Sequence, residues 1–326
     1  ALLERIDAAH PTLAQSRARL AVAAGIAVQA GALEWPQAEL GGDYRAEFRV
    51  ESGGDGSLDF GQSVTIAGSL NYVVDYTGRL RFARNAASRR FRASLAAYDD
   101  TRLRLQAAVA ETYWFARSLR RQEFILQETE ARRAEALELL GGLRDAGVVN
   151  DLELAEARVE LGFTRADLAD VRGQRAIADL SLTALLADFP GASPLEEMGG
   201  EAPLPSPALP EGVGSEALLR RPDIAEAKLL VEAAADEIGV ARANFYPQLT
   251  IVANAGLQGD SIDSLFSTES LFFSAGPSVS VPLFTGNRLT GELREAAGVW
   301  NGLVAAYRLQ LLEAFREVSQ EMASIA

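Results

Sequence analysis

Cysteine is absent from the 326-residue chain, which excludes thiol catalysis, disulfides and thiolate metal sites and leaves the redox compartment open. Histidine occurs once, as His10, with no nucleophile or metal-spaced partner beside it. No glycine-rich loop ends in a lysine that could cradle phosphate, and the Gly-Gly pairs at 53–54 and 199–200 stand in loop-like sequence. The acidic neighbours Asp99-Asp100 and Glu196-Glu197 point to different faces of any regular element, which suits solvated surface rather than acid–base work. No catalytic, cofactor-binding or metal-binding residue is therefore expected, no cofactor is implied, and the chain does not read as an enzyme. Only two methionines occur, which gives no support for copper handling through thioethers. A net charge of −14 argues against a nucleic-acid partner. No run of 18 apolar residues exists, so no helix is long and apolar enough to cross a bilayer. Spanning would require a closed β-barrel. With aromatics at 7%, a thick globular core gives way to long helices packed through small side chains.

What is present is alternation. From Ala38 to Val50, Leu40, Gly42, Tyr44, Ala46, Phe48 and Val50 share one face, and Glu39, Gly41, Asp43, Arg45, Glu47 and Arg49 share the other. After a Gly/Ser/Asp loop expected over Glu51 to Gln62, Val64, Ile66, Gly68, Leu70, Tyr72, Val74 and Tyr76 oppose Thr65, Ala67, Ser69, Asn71 and Asp75. Two further strands follow. Leu249, Ile251, Ala253, Ala255 and Leu257 alternate with Thr250, Asn254 and Gln258; beyond a loop at 259–270, Phe273, Ala275, Val279, Val281 and Leu283 alternate with Ser274, Ser278 and Ser280. Pro277 and Pro282 weaken the last strand, because proline cannot donate to a ladder. Charges at successive positions of one face and apolar side chains on the other fit a barrel wall with lipid outside and water inside. The expected wet-face residues are Asp43, Arg45, Glu47, Arg49, Asn71, Asp75, Thr250 and Asn254. Asp43, Glu47 and Asp75 would favour cations, an effect Arg45 and Arg49 weaken. Four strands cannot close such a wall, since the smallest membrane barrels need about eight, so copies must share it. Tyr44, Phe48, Tyr72, Tyr76, Trp35, Tyr246 and Phe284 suit interfacial aromatics.

The second theme is helix. Arg79 to Leu140 contains neither glycine nor proline, far more than the roughly 12 residues of an average helix. Leu105, Val109, Ala116, Leu119, Leu126, Leu137 and Leu140 fall near a 3.5-residue repeat that Glu123 and Glu130 interrupt, which reads as a coiled-coil seam. Then Arg144-Asp145-Ala146-Gly147-Val148-Val149-Asn150-Asp151 makes a tight turn, with Gly147 suited to a left-handed cap and Asn150 or Asp151 to capping a second helix that runs to Asp188. A Pro/Gly-rich stretch from Pro190 to Gly214 reads as a connecting belt.

These features repeat. His10-Pro11 and Arg221-Pro222 each open a helix that stops at Trp35-Pro36 or Tyr246-Pro247; Pro11 to Pro222 and Pro36 to Pro247 are both 211 apart. Thr77-Gly78 answers Thr285-Gly286, 208 apart, and Ala97-Tyr98 answers Ala306-Tyr307, 209 apart. The first copy continues 92 residues from Tyr98 to Pro190 but only 19 residues follow Tyr307, so about 73 residues of a second helical arm are expected to be missing.

The order RPDI, a small-residue helix ending in Tyr246-Pro247, then Gly276-Pro277-Ser278 leading to Pro282-Leu283-Phe284 and Gly286-Asn287-Arg288, resembles the TolC-like outer-membrane efflux factors, in the branch that serves RND-type pumps. The resemblance covers nearly the whole chain. It implies an α+β membrane protein: long antiparallel helical hairpins forming an α-barrel, plus two β-hairpins giving four strands to a 12-stranded trimeric transmembrane β-barrel. It divides the chain into a periplasmic helix at 1–35, a first β-hairpin at 36–77, a long helical hairpin at 78–189 and a connecting segment at 190–220. A second helix follows at 221–246, a second β-hairpin at 247–285 and the start of a second arm at 286–326. It implies a homotrimer in outer-membrane lipid of a Gram-negative bacterium, with its helices in the periplasm, and passive exit of small solutes. The implied partners are a periplasmic adaptor and an inner-membrane RND-type pump. The adaptor would meet Arg144, Asp145, Ala146, Gly147, Val148, Val149, Asn150 and Asp151, and Asp145 is the candidate aperture residue. Many members carry a lipidated cysteine that this stretch does not supply. Two other readings fit the periodicities alone: a soluble coiled-coil scaffold or adaptor, and a related channel for exported polypeptides.

Overall fold

The computed structural model describes residues 2–50, 58–188 and 218–325; most of the expected connecting segment, 190–217, lies outside them. The elements run α1 (Leu2–Ala9), α2 (Pro11–Ala32), β1 (Gln37–Val50), β2 (Leu58–Val74), α3 (Arg79–Asp145), α4 (Asp151–Leu185), α5 (Pro222–Ala243), β3 (Gln248–Gly259), β4 (Leu271–Ser280) and α6 (Arg288–Ile325). The mixture of long helices and one antiparallel four-stranded sheet is the expected fold class.

Contacts divide the chain into two compact units. The first combines Ala1–Arg17 with Tyr98–Pro210. Its core joins Ile6 and Leu13 to Val109, Ala116 and Leu119 of α3 and to Ala178, Leu182 and Leu186 at the end of α4. The chain breaks between α1 and α2 at His10 because Pro11 disfavours helical backbone in the residue before it while suiting a first helical turn itself. Asp7 there takes two hydrogen bonds from the Arg102 guanidinium, at 2.8 and 2.6 Å, which hold its carboxyl below the usual range.

Farther along the hairpin, apolar packing comes mainly from α4. Leu154, Leu161 and Leu168, spaced by sevens, are buried, whereas Leu126, Leu137 and Leu140 of α3 are only half-buried. Between them runs a ladder of cross-helix ion pairs. Arg120 faces Asp179 at 3.8 Å, Glu123 takes Arg172 at 3.0 Å and Arg175 at 2.5 Å, Glu130 takes Arg165 at 2.8 Å, and Arg133 takes Glu160 at 3.0 Å. The Arg175 hydrogen bond is the main cause that holds the Glu123 carboxyl below its ordinary range, against the opposing effect of burial. The glutamates that break the heptad are therefore where α3 and α4 are fixed in register.

The second unit combines Ala18–Ala97 with Glu211–Ala326. It holds the sheet, in the order β1-β2-β3-β4. β2 begins at Leu58, inside the expected loop, because Asp59 to Gln62 pair with Ala46 to Arg49 across the hairpin. β4 ends at Ser280, so Val281 and Leu283 fall outside it: Pro282 cannot donate to a ladder, whereas Pro277 is accommodated on an edge strand opposite Ile251. Asp75 follows β2 and caps α3, accepting from the Leu80 and Arg81 amides at 3.0 and 2.9 Å. Gly78, in the left-handed region at φ 80°, turns the chain into that helix.

Helix α5 packs on α3 through Gly239, where an added Cβ would lie 2.8 Å from the Phe82 ring. A helical Gly→Ala change ordinarily stabilises by about 1 kcal/mol. Here overpacking, which costs about 1–3 kcal/mol, reverses the sign. Gly239→Ala is expected to lower the thermal midpoint of the purified protein, followed by circular dichroism, and Phe82→Leu in the same chain to restore it. A Gly239→Ala protein that melts higher would show that the contact is not tight.

Candidate functional site

The sheet sorts its side chains by register. Leu40 pairs with Gly68, Gly68 with Ala255 and Ala255 with Phe273, so these four form one row across the sheet, and the next row runs Ala38, Leu70, Ala253 and Ala275. Tyr44, Ile66, Ile251 and Val279 lie on the same side. The rows between are polar: Glu39, Ser69, Asn254 and Ser274 form one, and Asp43, Thr65 and Gln258 another. Between those two lies a row of Gly41, Ala67, Gly256 and Phe272, and Phe272, Val73 and Val252 are the large apolar residues on that side. Because the side-chain period is two, a slip of one residue in any pairing would have mixed the faces, and none has slipped. The apolar side is not a core. Leu40 is 79% exposed and Phe273 75%, with Tyr44, Ile66 and Leu70 exposed as well. Soluble monomers rarely present so continuous an apolar surface. The outer edges of β1 and β4 have no strand beside them among the described residues.

Of the expected wet-face residues, Asp43, Arg45, Glu47, Asn71, Thr250 and Asn254 sit on the polar side. Arg45 pairs with Asp43 at 3.4 Å and Asn254 donates to Ser274 at 3.4 Å. Arg49 is in β1 but its side chain lies outside those described, as does that of Phe48. Asp75 stands apart from the group, at the start of α3.

The turn between α3 and α4 follows from its residues. Gly147 takes φ 75°, its amide donates to the Arg144 carbonyl at 2.9 Å, and the Val148 amide donates to the Leu143 carbonyl at 2.9 Å, the paired bonds of a Schellman end. Asn150, rather than Asp151, caps α4, accepting from Leu152 and Glu153 at 2.9 and 3.0 Å. Arg144 bridges Asp151 at 2.8 Å and Asp145 at 3.3 Å, and those carboxylates push its own proton affinity up. Ala146, Val148 and Leu152 are exposed and Val149 is half-buried. The turn thus offers a small apolar knuckle beside two acids that share one arginine.

The Arg-Pro-Asp-Ile segment is an anchor. Asp223, 7% exposed, accepts from Arg221 at 3.1 and 2.9 Å, from Gln310 of α6 at 2.7 Å and from the Ile224 amide at 2.8 Å. Arg221 also reaches Glu317 at 2.8 Å. Gln310 and Glu317 lie 87 and 96 residues from their partners, and no local spacing reveals them.

Residues 2–188 and 213–326 match the family described as outer membrane efflux protein. The chain belongs to that family. Efflux-family relatives include the toluene efflux pump outer membrane protein TtgF of Pseudomonas putida, 32% identical over 264 residues, which are 78% of this chain and 53% of that protein. The pyoverdine export outer membrane protein OpmQ of Pseudomonas putida is 29% identical over 316 residues, 95% of this chain and 67% of its own length. Among solved structures, the outer membrane protein VceC of Vibrio cholerae superposes with a TM-score of 0.88 at 26% identity, covering 99% of this chain and 77% of that one. The chain spans about half the length of the first curated efflux relatives it matches. Efflux-family proteins of this kind reside in the outer membrane of Gram-negative bacteria, and so does this one.

The anchor carries a pH prediction. Burial pushes the Asp223 carboxyl up, but the hydrogen bonds from Arg221 and Gln310 outweigh it and the folded value is lowered. Its stabilisation is therefore complete above the unfolded carboxylate range near pH ~4 and is lost as pH falls through the folded value. Asp223→Asn is expected to cost about 1.5–3 kcal/mol at neutral pH, the range for hydrogen bonds to a charged group. It should also flatten the fall of the melting temperature on acidification below about pH 4; an acid limb as steep as in the parent protein would remove Asp223 from that role.

Proposed function

We propose that the full-length protein is the outer-membrane exit duct of a tripartite efflux pump, passing small toxic solutes passively out of the periplasm. The observation that carries this reading is the register of the sheet, which separates a mainly apolar face from a mainly polar one while leaving two backbone edges open. In hydrocarbon an open edge leaves N–H and C=O groups without partners, at several kcal/mol each. Pairing the outer edge of β4 with β1 of another copy removes both edges. Three copies would give 12 strands, the number the family resemblance implies. The polar rows would then line the passage, with Asp43, Arg45, Glu47, Asn71, Thr250 and Asn254 toward water. The reading requires no chemical step: energy comes from an inner-membrane pump of the RND type.

A periplasmic adaptor would dock on the α3–α4 turn. The knuckle of Val148 and Leu152 supplies apolar contact, and the Arg144 bridge holds Asp145 and Asp151 in fixed positions beside it. Asp145 is also the aperture candidate. The toluene and pyoverdine named for the relatives mark the classes of cargo to try first.

The full-length protein in a planar bilayer is expected to give stepwise conductance that favours cations. Glu47→Lys with Asp43→Lys should shift the reversal potential in a salt gradient toward anion preference. Absence of conductance steps from correctly folded protein would overturn the channel reading.

Val148→Asp places an unpaired charge in the docking knuckle. It is expected to leave bilayer conductance unchanged while weakening adaptor binding by at least about tenfold, the effect of about 1.4 kcal/mol at the contact, and lowering drug resistance of expressing cells. Unaltered resistance would exclude the turn as the adaptor's seat.

A further inference from the structure

The apolar side of the sheet is not evenly covered. Over β3, Ala253 and Ala255 form the floor of a depression of about 450 Å³, continued by Ala38 and Gly68 and walled by Leu40, Leu70 and Phe273. The next side chains of the same strand on that face are the larger Ile251 and Leu257. Register produces the hollow. In the row Leu40, Gly68, Ala255, Phe273, two small residues lie between two large ones, and in the next row only Leu70 rises above alanine.

We propose that this hollow seats one acyl chain of a phospholipid from the inner leaflet of the outer membrane. The proposal rests on the channel reading, which puts this face of the sheet against hydrocarbon. An apolar hollow does not hold water, and left empty it forfeits the dispersion contacts of every atom lining it. Between a protein wall and lipid no hydrophobic difference drives association, so the fit of chain to hollow is what retains it. Leaflet follows from position along the strands. Leu40 is three residues from the start of β1 and Leu70 four from the end of β2, the strand ends that lead into α2 and α3. The hollow therefore lies in the half of the wall nearer the helices, where the periplasmic leaflet, built of phospholipid, meets the protein.

The test is native mass spectrometry of the full-length protein, extracted in mild detergent and washed, with the retained lipid identified and counted per chain. The parent is expected to keep about one phospholipid per chain. Ala253→Leu with Ala255→Leu, which fills the hollow, should reduce that retention at least about fivefold. Val279→Ala, on the same face but outside the hollow, should leave it unchanged. Equal retention in the filled variant, or lipopolysaccharide as the retained species, would overturn the assignment. Bilayer conductance of the parent protein separates the two readings: a conducting parent that retains no phospholipid leaves the channel and removes the seat.

Discussion

The backbone of a four-stranded sheet must do something with its two outer edges. β1 offers 14 residues and β4 offers 10, with no strand beside either among the described residues. Natural sheets protect such edges with bulges, prolines, inward charges or a covering helix. Here Pro277 is on β4, and Asp43 and Arg45 are on β1, yet the charges keep strictly to one face and do not spoil the other. An edge kept regular over this length, beside an apolar face that no core covers, suits pairing with another copy in a medium without water. The helical elements, the turn and the anchor are arranged on a chain whose sheet meets that demand.

Helix pairing is governed by a different balance. Near the ends of α1 and α2 the hairpin is held by buried apolar residues, but beyond Leu119 the charges set its register. The signs on α3 run plus, minus, minus, plus from Arg120 to Arg133, and α4 answers with Asp179, Arg175 and Arg172, Arg165, then Glu160. Exposed ion pairs add little each, about 0–1 kcal/mol. Their collective effect is on specificity, since sliding α4 by a turn would set like charges together or leave Glu123, which is 7% exposed, without a partner. A seam read as a flawed heptad is better described as an apolar row on one helix and a charge code across both.

How much of this could be read from the sequence depended on the range of the interaction. Strand alternation is local, and the two faces it implied at Leu40, Asp43, Ile66 and Asn254 are those the sheet assembles. The Schellman turn at Gly147 was legible because a left-handed glycine followed by an asparagine cap is a short-range pattern. Asp75 fitted the alternation equally well, and only the helix that starts four residues later claims its carboxylate. The heptad of Leu154, Leu161 and Leu168 is as regular in the sequence as the row on α3, and only packing shows that it is the buried one. What no pattern could give is long-range complementarity: Gln310 and Glu317 toward Asp223 and Arg221, Phe82 toward Gly239, and the hollow at Ala253, which exists only once the register is known.

The internal repeat shows which of these features is general to the unit and which is a local solution. Both copies open a helix at a proline, at Pro11 and Pro222, and both need an acidic anchor near that start tied to the helix that follows their strands. The second copy meets the need with Asp223 after the proline, bound by its neighbour Arg221 and by Gln310. The first uses Asp7, before the proline, bound by Arg102 and Gln106 of α3. The carboxylate has moved across the proline and the arginine has moved from the same turn to the opposite helix, while the arrangement of one acid, one guanidinium and one amide is kept. The two copies thus differ in the residues they use, yet in each an acid, a guanidinium and an amide tie the start of the copy to its later helix.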